Sequence, residues 1–489
     1  MRSNTSQVES LSQQKTSDTD IPLVVDLDGT LIATDLLHEA VILLLKKNPL
    51  YIFILPFWLS KGRVHFKNKI FGIVSPNYEL LPCNKQLLSF LKSESLSGRK
   101  IVLATASLEA SAKEISKIYT VFDEAYGTTS LNLKGSNKSQ FLIKKFGEFQ
   151  FDYIGNSCSD LKIMSSSRYS YLVNPSKSLE RNARKISDIR HIWKYDEKVH
   201  WKDYVKAIRV YQWIKNLLIF IPLITSHSFQ SLNLISQSVA AFFAFSFTAS
   251  AGYVINDLMD LNADRVHPRK RFRPFASGKL SIPSGVILAF VLFASGVFIA
   301  SRLNSWFLLI TLCYFVISVS YSMYLKKIAM YDVFILALLY STRIIAGGFA
   351  TGVTISFWLI SFSTFIFLSL AFVKRYSELI RAKDKKELLH KGRGYVIGDL
   401  HLLQSMGVVS GFLSVVVFSL YIDSPDVAIL YSNPKLLWTI SLLFLFWISR
   451  IWLITAHGKM TDDPIVFAIK DKSSYLIFLL AGIIMFFSI

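Results

Sequence analysis

Residues 256–264 read Asn-Asp-Leu-Met-Asp-Leu-Asn-Ala-Asp, with carboxylates at Asp257, Asp260 and Asp264. The i, i+3 and i+7 spacing predicts that all three lie on one face of a helix. Like charges packed this way repel unless a cation lies between them, and Mg²⁺ binds one or two carboxylates together with substrate phosphate oxygens. The stretch therefore predicts a Mg²⁺ site for a diphosphate-bearing substrate; an acidic helix end without such a role is the alternative.

A run of basic residues follows these carboxylates. Arginine and lysine neutralise phosphate oxygens, and the guanidinium group does so through paired hydrogen bonds. We therefore expect this loop to bind the substrate's phosphates. The candidate substrate-binding residues in and beside it are Asn256, Arg265, Lys270, Arg271 and Arg273.

The surrounding chain is both apolar and basic. Of its 489 residues, 52% are hydrophobic and 18% charged, and 54 Lys+Arg against 34 Asp+Glu give a formal net charge of +20. A soluble protein normally carries about 25% charged residues, which favours a membrane protein over several cytosolic domains. The charge alone fits nucleic acid, anionic lipid or a phosphorylated substrate.

Apolar stretches long enough to cross about 30 Å of hydrocarbon recur after Ile208. We predict nine spans, near residues 210–226, 232–255, 283–302, 305–324, 330–351, 354–373, 402–422, 435–455 and 473–489. Every second loop is basic, which predicts a protein of the cytoplasmic membrane with its N-terminal half in the cytoplasm and its C-terminus outside. This placement of the charge indicates phosphate and membrane as partners, and no nucleic acid; the oligomeric state stays open.

The pattern Asn-Asp-x-x-Asp-x-x-x-Asp at residues 256–264 resembles the first aspartate-rich motif of the UbiA superfamily of membrane prenyltransferases. The resemblance covers roughly residues 205–489 and implies an all-α domain of nine transmembrane helices. The superfamily's second aspartate-rich motif is missing. The corresponding residues 374–384 are mainly basic, with Glu378 and Asp384 as acidic candidates.

Four separated segments are similar to those of the decaprenyl-phosphate phosphoribosyltransferases within that superfamily: residues 212–216, 267–274, 374–379 and 462–468. The resemblance implies transfer of 5-phosphoribose from phosphoribosyl pyrophosphate to a polyprenyl phosphate. It adds substrate-binding candidates at Lys215, Lys374, Arg375 and Glu378. Prenyl transfer from a polyprenyl diphosphate to an aromatic acceptor is the alternative within the superfamily, and a membrane scaffold with degenerate sites is the alternative outside it.

Two basic residues inside the predicted spans allow two interpretations each. Lys215 either contacts phosphate or extends its ammonium group to the membrane surface. Arg343 lies eleven residues after Asp332, on the same helix face, so a buried ion pair and a substrate contact are both open.

The N-terminal half begins with a short apolar run that ends in Asp26-Leu27-Asp28-Gly29-Thr30. Carboxylates separated by one residue at a strand end point the same way, so one of them can attack a phosphoryl group while the other moves a proton. Gly29 permits the tight turn that this arrangement requires.

This stretch resembles motif one of the haloacid dehalogenase (HAD) superfamily, and three further motifs follow in that family's order. They are represented by Thr105, by Lys138 (with Lys134 as the alternative) and by residues 155–160. The resemblance implies an α/β Rossmann-like phosphatase domain over residues 21–200, with a helical cap at about 38–98. It makes Asp26 the nucleophile, Asp28 the general acid/base, Thr105 and Lys138 phosphoryl ligands, and Asp26, Asp28 and Asp160 the residues that hold Mg²⁺.

Asn156 departs from the HAD pattern, because it replaces a carboxylate near the metal; an inactive domain kept for interaction is therefore the alternative. Residues 1–20 are predicted to be a disordered tail. Residues 50–59 are too short to span a bilayer, and they either touch the membrane as part of the cap or form its buried core. The fusion suggests two steps on one lipid, phosphoribosyl transfer and then removal of the sugar's terminal phosphate.

Overall fold

The computed structural model describes residues 19–194, 199–228, 230–384, 394–461 and 463–488. The predicted tail therefore lies almost entirely outside the described residues. The chain divides into two compact units. Unit 1 consists of Met1–Ala207 and Asp257–Val286, and unit 2 of Ile208–Asn256 and Ile287–Ile489, in each case as far as the structure describes them. The aspartate-rich stretch, which we predicted to belong to the C-terminal domain, thus groups mainly with unit 1.

A six-stranded parallel sheet forms the centre of unit 1, in the order β3-β2-β1-β4-β5-β6. All three residues of β1 are buried, as expected for a central strand covered on both faces. The strands are β1 (Leu23–Val25), β2 (Ile101–Leu108), β3 (Glu124–Thr128), β4 (Asp152–Gly155), β5 (Tyr169–Val173) and β6 (Asp188–Trp193). This sheet confirms the predicted α/β architecture of the N-terminal half.

Helices connect the strands of unit 1, and four of them lie between β1 and β2 as the predicted cap requires. These four are α1 (Leu36–Lys47), α2 (Tyr51–Ser60), α3 (Arg63–Phe71) and α4 (Lys85–Leu96). Asp35 begins α1, because its carboxylate accepts hydrogen bonds from the backbone N–H groups of Leu37 and His38. The later helices are α5 (Glu109–Ile118), α6 (Ser136–Phe146), α7 (Leu161–Met164), α8 (Lys177–Ile186) and α9 (Trp201–Ala207).

The longer regular elements in the rest of the described chain are helices. They are a 3₁₀ helix (Val210–Phe220), α10 (Ile221–Thr225), α11 (Leu232–Met259), α12 (Leu261–Val266), α13 (Ile282–Leu303), α14 (Ser305–Met323), α15 (Tyr331–Thr351), α16 (Phe357–Asp384), α17 (Leu400–Ile422), α18 (Pro425–Leu430), α19 (Leu437–Ala456), α20 (Pro464–Lys470) and α21 (Lys472–Ser488). Helix α16 extends well past the predicted span at 354–373, so Lys374 and Arg375 lie on a helix and not in a loop.

Seven helices in the described ranges are long and apolar enough to cross a membrane, and two bent pairs bring the number to nine if each pair is one span. The bent pairs are Trp201–Ala207 with Val210–Thr225 and Pro464–Lys470 with Lys472–Ser488. The chain is therefore an integral membrane protein. Seven of the nine predicted spans correspond to continuous helices, whereas the first and the last each correspond to the second member of a bent pair.

Close packing holds α16 against α17 in unit 2. A Cβ atom on Gly407 of α17 would lie 2.7 Å from the Cβ atom of Phe372 on α16 and 2.1 Å from the Trp452 ring on α19, so only glycine fits at this contact. The Ser369 hydroxyl donates to the Gly407 carbonyl oxygen at 2.7 Å. Small residues that bring helices together in this way are typical of membrane bundles.

Candidate functional sites

The carboxyl ends of three neighbouring strands bring the HAD-like residues together. Asp26 follows β1, Thr105 lies on β2 and Asp160 follows β4. The Lys138 ammonium group, on α6, donates to Asp26 Oδ1 at 2.6 Å and to the Ala104 carbonyl at 3.0 Å. Both side chains are largely buried, so Lys138 is placed to neutralise charge that gathers at Asp26.

Asp28 is held by hydrogen bonds on both carboxylate oxygens. Its Oδ1 accepts from the Leu36 backbone N–H at 2.9 Å. Its Oδ2 accepts from the hydroxyls of Ser107 at 2.8 Å and Thr105 at 3.2 Å. Thr105, which we predicted as a phosphoryl ligand, thus also orients the predicted acid/base. Ser107 was missed; its only signal in the sequence is its place two residues after Thr105, on the same face of β2.

Burial shifts both carboxyl groups toward their neutral forms. Desolvation raises the pKa of Asp26, although the Lys138 charge acts in the opposite direction. Desolvation also raises the pKa of Asp28, and the negative charge of Asp35 adds to that rise. A raised pKa suits a group that must hold and release a proton near neutral pH. A divalent cation beside these carboxyls would lower both values.

Asp160 shapes the loop that follows β4. Its Oδ2 accepts from the backbone N–H groups of Asn156 at 3.2 Å and Ser157 at 2.9 Å, and from the Ser157 hydroxyl at 2.8 Å. Its Oδ1 accepts from the Tyr153 hydroxyl at 3.1 Å, and that hydroxyl accepts from Lys138 at 3.2 Å. Sequence reasoning missed Tyr153. The structure gives Asp160 an orienting role, and its contact with Mg²⁺ stays a prediction.

Asn156 faces the turn after β1. Its Nδ2 atom lies 2.1 Å from the place that a Cβ atom on Gly29 would occupy, and Gly29 has a φ of +75°, so both space and backbone conformation require glycine there. Carboxylate and amide oxygens are ligands for hard divalent cations. Asp26 and Asn156 therefore offer oxygen donors of the kind that Mg²⁺ binds, with one negative charge fewer than a pair of aspartates.

A cavity of about 360 Å³ opens beside Asp26 and Asp28. Lys134, the alternative motif-three lysine, lies on its lining, whereas Lys138 contacts Asp26 directly. Another part of its wall comes from the loop before α13 and from the start of that helix, through the residues Phe275, Gly278, Leu280, Ser281, Ile282 and Pro283. Sequence reasoning missed this wall, because nothing in the sequence joins segments so far apart.

A buried ion pair fastens the aspartate-rich segment to the cap. Arg265 donates to the Glu39 carboxylate through Nη2 at 2.6 Å and Nη1 at 3.1 Å, and through Nε to the Ala276 carbonyl at 3.2 Å. The two side chains are only 6% and 3% exposed. Arg265, which we predicted to bind substrate phosphate, thus has its guanidinium group paired with a carboxylate of α1, and its contact with phosphate stays a prediction.

Replacing Arg265 with Ala should destabilise unit 1 by about 3–5 kcal/mol, because the Glu39 charge would remain buried without its partner. Thermal unfolding of the detergent-purified protein measures the loss. Arg269→Ala, an exposed arginine of the same loop, is the matched control and should unfold like the unmodified protein. Equal unfolding temperatures for the two variants would contradict the structural role of the pair.

The three aspartates of the 256–264 stretch do not share one helix, which corrects our prediction. Helix α11 ends at Met259 and α12 begins at Leu261, with Asp260 in a non-helical conformation between them. The Lys46 ammonium group, at the end of α1, donates to the Met259 carbonyl at 2.7 Å and to Asp260 Oδ1 at 3.2 Å. This lysine thus contacts both the end of α11 and the Asp260 carboxylate.

Asp257 and Asp264 converge on one cationic atom. The Nη1 atom of Arg273 donates to Asp257 Oδ1 at 2.9 Å and to Asp264 Oδ2 at 2.6 Å. Burial raises the pKa of Asp264, and the Arg273 charge lowers it. Because two carboxylate oxygens meet at a single positive atom, the pair fits a small divalent cation. Lys270 and Arg271 lie exposed on a short 3₁₀ helix nearby in sequence.

Lys215 forms a buried ion pair within unit 2. Its ammonium group contacts Asp463, which also caps α20 by accepting from the Ile465 backbone N–H at 3.1 Å. Lys374 interacts electrostatically with the same carboxylate. Asp462, in the same matched segment, lies outside the described residues. Asn256 Oδ1 accepts from the Lys326 ammonium group at 3.5 Å.

Arg375 and Glu378, predicted to bind substrate, belong to a buried polar network. Arg375 contacts Asp332, Glu378 Oε2 at 2.7 Å and the Tyr321 hydroxyl at 2.7 Å, and its side chain is 1% exposed. The Tyr395 hydroxyl donates to Asp332 at 2.6 Å. Each guanidinium nitrogen of Arg375 thus has a protein partner, and its contact with substrate stays a prediction. The Asp384 side chain lies outside the described part.

Arg343 does not pair with Asp332, because Arg375 takes up that carboxylate. Arg343 donates instead to Asn216 Oδ1 at 2.8 Å and to the Tyr314 hydroxyl at 2.9 Å. Its guanidinium carbon also lies 5.6 Å from the centre of the Phe245 ring. The interpretation as an ion pair with Asp332 was therefore wrong, and Arg343 links three elements of the bundle.

Two related proteins align with this chain over most of their own lengths. The uncharacterized protein y4nM of Sinorhizobium fredii is 36% identical over 94% of this chain and 89% of its own. A decaprenyl-phosphate phosphoribosyltransferase of Mycolicibacterium smegmatis is 29% identical over 56% of this chain and 88% of its own. Both halves of the chain thus recur together in the first relative.

Two solved structures are also similar. A UbiA homolog from Archaeoglobus fulgidus, bound to GPP and Mg²⁺, is 17% identical and covers 59% of this chain and all of its own, with a TM-score of 0.45. A HAD family hydrolase from Salmonella enterica serovar Typhi is 14% identical and covers 39% of this chain and 75% of its own, with a TM-score of 0.29. Residues 218–470 match the UbiA prenyltransferase family. Since this match takes in half of the sequence, the chain belongs to the UbiA prenyltransferase family.

Proposed function

We propose that the chain transfers 5-phosphoribose from phosphoribosyl pyrophosphate to a polyprenyl phosphate. The observation that carries the proposal is the convergence of Asp257 and Asp264 on one cationic atom, directly before an exposed basic loop. This arrangement suits a metal-bound diphosphate with further phosphate nearby. The similarity to a decaprenyl-phosphate phosphoribosyltransferase supports this choice of substrates.

In the proposed reaction, a phosphate oxygen of the lipid attacks the anomeric carbon of the sugar. The new carbon–oxygen bond forms as the bond to pyrophosphate breaks, and pyrophosphate leaves with the electron pair. Asp257 and Asp264 would hold Mg²⁺, which neutralises charge on the leaving diphosphate. Arg273, Lys270 and Arg271 stabilise the same developing charge from the basic loop.

Incubation of the purified protein with polyprenyl phosphate and ribose-labelled phosphoribosyl pyrophosphate tests this proposal. We expect label in the lipid extract. A parallel incubation with labelled prenyl diphosphate and an aromatic acceptor tests prenyl transfer, the other activity that the family membership supports. A labelled prenylated acceptor, together with no ribose label in the lipid extract, would reject the phosphoribosyl assignment.

We further propose that the HAD-like residues remove the terminal phosphate of the sugar from the lipid-linked product. Asp26 attacks the phosphorus, and Asp28 gives its proton to the departing sugar oxygen. Water then cleaves the aspartyl-phosphate bond while Asp28 takes up the proton. Lys138 offsets the charge on the phosphoryl group, and Mg²⁺ would add charge neutralisation at Asp26 and Asn156.

The proposed location is the cytoplasmic membrane, with the N-terminal half in the cytoplasm and the C-terminus outside. The alternation of basic and non-basic loops supports this orientation. The first and last spans are bent pairs in the described residues, and the orientation requires that each counts as one crossing.

Replacing Arg273 with Gln should have two opposite effects. Binding of Mn²⁺ alone, followed by electron paramagnetic resonance, should tighten because the arginine no longer competes for Asp257 and Asp264. Transfer should fall by about 10- to 100-fold, since a charge-assisted contact to the diphosphate is lost. Arg269→Gln, in the same loop, controls for the loss of one positive charge. Weaker Mn²⁺ binding by Arg273→Gln would contradict the proposed competition.

A further inference from the structure

Helix α2 of the cap carries both packed and exposed apolar side chains. Tyr51, Leu55 and Trp58 pack against a buried cluster that includes Leu44 and Ile70 of the neighbouring cap helices. Five other apolar residues are each more than half exposed to solvent: Leu50, just before the helix, and Ile52, Phe53, Phe57 and Leu59 within it. We name these five residues the outer face. The exposed fractions of Phe53 and Phe57 are 78% and 59%, which is unusual for a soluble surface.

The segment that carries the outer face is basic in sequence. Lys47, Lys61, Arg63 and Lys69 are exposed on the cap helices and their connections. The sequence between Glu39 and Glu79 contains no aspartate or glutamate. An apolar surface bordered by positive charge and free of acidic residues is complementary to an anionic bilayer, in which acyl chains lie beneath negative headgroups.

We propose that the outer face of α2 inserts into the interfacial region of an anionic bilayer. A ten-residue helix is about 15 Å long, so it lies along the surface and does not cross the membrane. The phenylalanine rings enter the acyl boundary, while the ammonium and guanidinium groups around them contact lipid phosphates. Both earlier interpretations of residues 50–59 then apply, one to each set of side chains.

Membrane contact through the cap has a consequence for the phosphatase step, and that consequence rests on the proposed function. Asp35, at the start of α1, lines the cavity beside Asp26, and α1 leads directly to α2. A cap held at the bilayer therefore favours a phosphate whose other end is a lipid. Soluble phosphomonoesters gain nothing from this contact.

Fluorophore labelling of the full-length chain in liposomes tests the insertion. The native cysteines, Cys83, Cys158 and Cys313, are first replaced with serine or alanine. An environment-sensitive dye is then attached to Phe53→Cys, or in a second protein to Phe57→Cys, and the matched control is Lys117→Cys on α5. Vesicles of phosphatidylcholine and phosphatidylglycerol should shift the emission of the α2 dyes to the blue and expose them to quenching by doxyl-labelled lipid. Equal quenching of all three dyes by aqueous iodide would overturn the proposal.

A second measurement connects insertion with catalysis. The double variant Phe53→Glu/Phe57→Glu should lower hydrolysis of the lipid-linked phosphate by about tenfold, because charged side chains oppose membrane binding. Hydrolysis of soluble p-nitrophenyl phosphate should stay within about twofold, which also shows that the unit is folded. If neither substrate is hydrolysed even by the unmodified protein, the phosphatase proposal fails, and the dye measurement still decides the membrane contact.

Discussion

Replacing Asp257 with Asn should abolish phosphoribosyl transfer, with kcat/KM reduced by at least about 1,000-fold. The substitution keeps the shape of the side chain and an oxygen that can accept from Arg273, so the local fold should persist. It removes one of the two charges that converge on a single cationic atom. Metal affinity and stabilisation of the leaving diphosphate fall together.

Labelled transfer assays and Mn²⁺ binding by the same protein preparation measure this effect. Asp264→Asn should behave like Asp257→Asn, because both carboxylates meet at Arg273. Glu114→Gln, an exposed carboxylate on α5, controls for a general change of charge. An Asp257→Asn protein that retains a tenth of the activity would show that the reaction proceeds without this carboxylate pair.

Replacing Asp26 with Asn should lower the rate at which the sugar phosphate is removed by at least about 1,000-fold and leave the rate of transfer unchanged. An amide cannot form the acyl-phosphate bond, although it still fits beside Lys138. The phosphorylated lipid should therefore accumulate. Mass spectrometry of the lipid extract distinguishes the phosphorylated product from the dephosphorylated one in a single reaction.

Glu148→Gln, an exposed substitution in the same unit, serves as the matched control for Asp26→Asn. The reverse experiment, Asp257→Asn, should remove both lipid products, since the second step depends on the first. Identical product ratios for Asp26→Asn and the unmodified protein would separate the two proposed steps and leave the HAD-like site without this substrate.

The HAD-like site was predictable because its residues follow the carboxyl ends of parallel strands. Asp26, Thr105 and Asp160 each come directly from or after an apolar strand, and such ends meet at one edge of a sheet. The partners that orient them, Ser107 and Tyr153, carry no motif of their own. Their roles depend on side-chain directions across strands, which only the folded sheet defines.

The transferase residues were harder to place. Our prediction from the spacing of Asp257, Asp260 and Asp264 assumed one continuous helix. The helix instead breaks at Asp260, where Lys46, from a distant part of the chain, donates to the helix end. Arg265 and Arg375 looked like phosphate ligands because they lie in basic runs. Both are taken up by buried carboxylates, and a sequence does not reveal which of many acidic residues will be the partner.

The cavity wall contributed by Phe275–Pro283 has a consequence for how this protein can evolve and be dissected. A single stretch, from Asp257 to Val286, supplies the carboxylate pair of one proposed reaction and part of the enclosure for the other. The residues of the two proposed activities therefore cannot be divided at a single position in the sequence. Truncation of the chain near residue 207 would separate the two halves, but it would also remove residues 275–283 from the lining of the cavity beside Asp26. A substitution in that stretch would therefore be expected to alter both proposed reactions, so selection would act on the two together.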